Sequence, residues 1–164
     1  MHNINLKCNN KTKMTFLVGG LFFLYFTAII IPEWFIIYLP FSGLSDFFAN
    51  NVIYSFISAV VILHFIFVGT FYYTVNVDPY VIQITSYRVL ADLFKKKDYV
   101  DIPHIMLRDY AFFDRPFSFN KTLMLKIETG SGKIISKRFE LTLIREREVE
   151  SISSVLDRII VKNN

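Results

Sequence analysis

Few residues in this 164-residue chain have the type and spacing that chemistry needs. Gly130-Ser131-Gly132-Lys133 is the closest approach to a phosphate-binding loop. Such a loop needs an earlier glycine and a hydroxyl residue after the lysine, whereas Ile127 and Ile134 occupy those positions, so the segment reads as a hairpin turn. His2, His64 and His104 lie in unrelated stretches and Cys8 is the single cysteine, so no metal-ligand spacing exists. No Ser, Thr or Cys sits in a nucleophile motif. Asp98 with Asp101, and Asp109 with Asp114, are better read as turn residues and surface charge than as acid–base pairs. The sequence therefore assigns no catalytic residue, no metal and no cofactor. One cysteine cannot close an intrachain disulfide. By position Cys8 is an acylation candidate, but with no activating neighbour it reads as an inert thiol in a tail.

The remaining candidates concern binding. Lys95-Lys96-Lys97 is the densest charge cluster, suited to anionic lipid headgroups or to a solvated hairpin tip. Ala111 to Asn120 reads AFFDRPFSFN, with Phe112, Phe113, Phe117 and Phe119 around Arg115. Exposed aromatics around an arginine form a protein-binding patch, while buried ones would simply fill a core. Arg88 and Arg108 could join that region in a ligand pocket. His64 is the only ionisable group in the second apolar run; without further carboxylates or histidines there, it reads as a neutral hydrogen-bonding group.

The elements that carry these residues divide at about residue 74. Hydrophobic residues make up 53% of the chain, above the soluble norm of about 45–50%, and the excess lies between Met14 and Tyr73. Met14 to Ile31 contains no charge and would span about 27 Å as a helix, close to a bilayer core. It is too long for a signal-peptide core and no small-x-small site follows. Val52 to Tyr73 would span about 33 Å. Pro32 to Asn51 is too apolar for a free loop and too broken by Pro40 and Gly43 for a third span, which suits an interfacial segment. The predicted order is a basic tail over 1–13, a transmembrane hairpin over 14–73 (helices about 14–32 and 52–73, linker 33–51), and a cytoplasmic β domain over 74–164.

Lys7, Lys11 and Lys13 precede the first run, no Lys or Arg occurs from Met14 to Tyr73, and the rest of the eighteen follow. The positive-inside rule then places both termini in the cytoplasm, for a multi-pass protein of the inner membrane. A formal net charge of +4 is too small to argue for nucleic acid.

After residue 74 the pattern is mostly strand. Leu123, Leu125 and Ile127 alternate with Met124, Lys126 and Glu128; Ile135, Lys137, Phe139 and Leu141 share one face. From about residue 145 to 161 the period becomes helical, with Val149, Ile152, Val155, Leu156, Ile159 and Ile160 on one stripe. Within this region, ITSYRVLADLFKKKDYVDIPHIMLRDY (Ile84 to Tyr110) resembles the core of bacterial pleckstrin-homology-like domains of small membrane proteins, through Thr85, Arg88, Ile102, Pro103 and Ile105. TLMLKIETGSGK, from Thr122 to Lys133, resembles their later hairpin. The resemblance implies a seven-stranded, partly open β-barrel plugged by a C-terminal helix, behind a two-helix anchor. Six strands are evident, so the seventh is expected from Ala111 to Asn120.

These readings make the chain a membrane α + β protein. The expected function is a non-enzymatic, membrane-anchored binding or scaffolding module, an accessory or assembly subunit of a bacterial membrane complex. Its expected partners are membrane lipids and either a protein partner or further copies of itself. Two alternatives share the architecture: an anti-phage effector gated by a cyclic nucleotide bound in the β domain, and an immunity protein against a membrane-active toxin.

Overall fold

The structure is a computed structural model that describes residues 5–39, 43–50, 52–90 and 98–163. Its elements are strand β1 (Leu6–Asn9), helix α1 (Lys11–Tyr25), a π-helical turn (Phe26–Ile30), α2 (Ile31–Tyr38), α3 (Gly43–Asn50) and α4 (Val52–Val68). Strands β2 (Phe71–Val77), β3 (Val81–Arg88) and β4 (Asp98–Pro103) follow, then a 3-10 turn (His104–Met106). Strands β5 (Leu107–Asp114), β6 (Asn120–Glu128) and β7 (Ile134–Thr142) lead to helix α5 (Glu146–Asn163). The chain forms two compact units: a helical one, residues 12–69, and a β unit built from the segment up to Lys11 and the segment from Thr70 onward.

The helical unit runs differently from the sequence expectation at both ends. The first helix does not stop at Pro32 but continues through it, so that Lys11–Tyr38 is one 28-residue helix. Proline has no N–H to give the carbonyl four residues earlier, here Ala28. The chain meets this with the π turn just before Pro32 and with the Ser55 hydroxyl of α4, which donates to the Ala28 carbonyl at 2.6 Å. Phe35 of α2 meets Phe48 of α3 with ring centroids 5.7 Å apart. Among the described residues Lys11–Tyr38 is the one helix long and apolar enough to cross a membrane; α3 and α4, bent 57° from one another, together supply the length for a second crossing. At the other end, α4 finishes at Val68, and Phe71, Tyr72 and Tyr73, expected to close a membrane helix, open strand β2.

The β unit holds two antiparallel sheets, β1-β2-β3-β4 and β5-β6-β7, with α5 packed beside them. The strand expected from Ala111 to Asn120 is present in part: Ala111–Asp114 are the second half of β5, which begins earlier, at Leu107, and Asn120 opens β6. The strand that the residue pattern did not show is β1, in the stretch read as a basic tail, pairing Leu6 with Val77 and Asn9 with Thr74. Leu6 and Cys8 turn toward the core, while Lys7 and Asn9 face away.

The expected alternation in β6 is observed: Leu123, Leu125 and Ile127 are buried. They pack with Tyr73, Val75, Ile82, Ile84, Phe139 and Leu141, and with Ile152, Leu156 and Ile159 of α5. Burying each such side chain contributes about 1.5–3 kcal/mol. Glu148 accepts the Arg145 backbone N–H at 2.8 Å, half of a capping box at the start of α5. The Asn163 amide secures the far end on the carbonyls of His104 and Leu107. Gly132, at φ 76°, makes the β6–β7 turn, where a side chain would be strained.

Candidate functional site

Strand β5 separates two of the three arginines that the sequence offered as a pocket. Arg108, near its start, is ion-paired with Glu128 and directs Nη1 to the Asn163 carbonyl at 3.5 Å. Arg115 lies just past its other end, with Nη1 3.7 Å from Glu140. A strand of this length separates them by about 20 Å at roughly 3.3 Å per residue, so they do not converge. Arg88 is the last residue of β3, half-buried and paired across the ladder with Phe71. His64 is exposed on α4, its ring 5.8 Å from Phe65. Lys95, Lys96 and Lys97 lie outside the described residues, in the connection between β3 and β4.

The phenylalanine cluster divides. Phe112 is half-buried against the core, edge-on to Tyr110 at 6.1 Å. The other three face outward: Phe113 is 49% exposed, Phe119 59% and Phe117 95%. Phe117 also has φ 57°, a left-handed conformation that strains a bulky side chain. Leu143, on the facing turn, has the same φ, and its N–H donates to the Phe119 carbonyl at 2.9 Å. Between these turns lies a concavity of about 440 Å³ lined by Arg115, Ser118, Phe119, Lys121 and Ile144, among others. Its charges are internally matched: Lys121 lies 3.0 Å from Asp114 and 2.8 Å from Glu146. The Glu146 and Asp114 carboxylates hold its ammonium above the usual lysine range.

Just behind the loop, three polar side chains that the sequence reading passed over lock the β unit together. Asn10, the last residue before α1, is buried. Its amide nitrogen donates to Phe71 O at 2.8 Å and Thr142 O at 2.9 Å, and its oxygen accepts the Tyr73 N–H at 2.9 Å. The Thr142 hydroxyl in turn accepts the Phe71 N–H at 2.7 Å and donates to Asn120 Oδ1. Hydrogen bonds thus run from Phe119 through Leu143 and Thr142 to Asn10. The exposed phenylalanines stand at the end of the β unit where the chain departs at Lys11 and returns at Thr70. An Asn-Asn pair before an apolar run carries no signal of this role; the short Leu6/Cys8 alternation was the only clue.

At the opposite end, a smaller concavity of about 380 Å³ is lined by Tyr80, Pro103, His104, Lys162 and Asn163 among others. Among the described residues no group of three or more His, Cys, Asp or Glu side chains is gathered to hold a metal ion. The tethered-end loop offers aromatic surface and a matched charged rim, which is equipment for binding. No family model, no curated protein and no solved structure matches the chain.

Proposed function

We propose that residues 12–69 are a two-pass membrane anchor inserted into a pleckstrin-homology-like β domain, and that the protein is a non-enzymatic binding and scaffolding module of a bacterial membrane complex or homo-oligomer. The observation that carries this reading is the pairing of β1 with β2. The two strands flanking the helical unit are hydrogen-bonded neighbours, so the chain leaves and re-enters the β unit at one place. A segment that crosses a bilayer between them must cross an even number of times. The apolar exterior supports lipid as its solvent: only 11% of the apolar window in Lys11–Tyr38 is buried, and Phe16 and Phe67 are 77% and 80% exposed. In water that surface would be a large unmatched apolar area. The lysines at 7, 11 and 13 support a cytoplasmic side for the β domain. A four-strand sheet, a three-strand sheet and a terminal helix agree with the pleckstrin-homology-like resemblance, with the first strand supplied from before the anchor. The separation of Arg108 from Arg115, each facing a carboxylate, weighs against a cyclic-nucleotide pocket there.

Alkaline carbonate washing of membranes tests the anchor: the full-length chain is expected in the pellet, and its release would contradict the reading. A mild-detergent pulldown tests the scaffold: a stoichiometric partner or a homo-oligomer is expected, and a bare monomer would contradict it.

A further inference from the structure

We propose that the loop carrying Phe117 and Phe119, with Phe113 and Arg115 beside it, is a second, interfacial membrane contact that presses the β domain onto the bilayer into which its helices insert. This rests on the anchor reading above. Three observations carry it. The first is position: hydrogen bonds link Phe119 through Leu143 and Thr142 to Asn10, so the loop stands at the tethered end of the β unit. Both covalent connections to the helices, after Lys11 and before Thr70, leave the β unit at that same end. The second is chemistry. Phe117 and Phe119 are large apolar side chains left in the open on a loop, beside a rim whose charges are already paired, and exposed aromatics of this kind sit at the headgroup–acyl boundary. The third is that the β unit itself has no use for Phe117. It touches almost nothing, and its φ of 57° would suit glycine or asparagine better. A bulky apolar residue held out at a strained position points to a contact outside the fold. The occupant we assign is the lipid surface rather than a protein, because the loop shares its end of the β unit with both connections to the apolar helices.

Tryptophan fluorescence in the full-length protein, reconstituted into vesicles of brominated or unbrominated phosphatidylcholine, tests this. Trp34 is the sole native tryptophan, on the helical unit. Loss of its emission in brominated vesicles reads the anchor alone. In a Trp34→Phe background, Phe117→Trp is expected to show blue-shifted emission that brominated lipid quenches. Tyr80→Trp, 82% exposed at the opposite end of the β2–β3 hairpin, is expected to stay unquenched and water-like. Quenching of Trp34 without quenching of Phe117→Trp overturns the loop contact and leaves the anchor standing. Blue-shifted but unquenched emission at position 117 also overturns it, in favour of a second copy covering the loop. Equal quenching at 117 and 80 overturns the assigned orientation. An unquenched Trp34 removes the anchor and this proposal with it.

Discussion

Asn10, just past the end of β1, ties that strand to β2 and β7, and its side chain makes three of its four possible hydrogen bonds, with both donors used and one acceptance. Asn10→Ala would strand two carbonyls and one N–H there. At about 1–3 kcal/mol for a buried group left unpaired, the expected loss is about 2–4 kcal/mol, read as a lower urea midpoint in detergent. Asn10→Asp keeps the acceptor and loses both donors, so it is expected to do little better; a neutral result for either would remove Asn10 as the latch. Tyr73 gives a second outcome. Burial, and then the nearby Glu148 carboxylate, push its phenol well above the usual tyrosine range. The unfolded chain therefore releases this proton first, near pH 10, and the native state holds it longer. Stability from this group is intact below about pH 10 and falls as pH rises beyond it. Tyr73→Phe is expected to flatten the alkaline limb of a stability–pH curve, despite losing a weak 3.4 Å bond to Glu148; an unchanged limb would contradict this. Neither residue announced itself in the sequence. Asn10 lay in what read as a tail, and Tyr73 at the end of what read as a membrane helix, because their partners are more than sixty residues away.

Elements were legible where a period repeats long enough to be counted. The stripe of α5 and the alternation of β6 fall where the residue pattern put them, since each extends over at least nine residues and meets one core. Strand β1, with four residues, is too short for a period, and only its pairing with β2 defines it. Pro32 misled for a different reason. As a local signal it ends a helix, but the π turn and the Ser55 hydroxyl together meet the backbone groups it disturbs. This can be checked by a double-mutant cycle in lipid bicelles. Ser55→Ala is expected to cost about 0.6 kcal/mol and at most about 1.7 kcal/mol, the mean and the upper end for hydrogen bonds between membrane helices. In a Pro32→Ala background, where position 32 regains its N–H, the same change is expected to cost less. Additive effects would mean that Ser55 does not substitute for the missing donor. The phenylalanine loop was legible as unusual but not as divided; strand direction alone decides that Phe112 turns inward and Phe113 outward.

For the whole molecule, the organising fact is that the β unit is discontinuous in sequence, closed by a strand from before the helices. Composition located the apolar stretch and the charge asymmetry located its flanks, but no linear pattern shows that two distant flanks share one sheet. That closure supports the proposed anchor with an even number of crossings, and it places Cys8 in the same unit as the β6–β7 turn. The most direct measurement uses a Cys8→Ser background with single cysteines at Ser131, in that turn, and at Asp46, exposed on α3. Both are probed with a membrane-impermeant maleimide in sealed vesicles of known orientation. Labelling of Ser131→Cys from the cytoplasmic face and of Asp46→Cys from the opposite face is the expected result; labelling of both from the same face would contradict a two-pass anchor within one β domain.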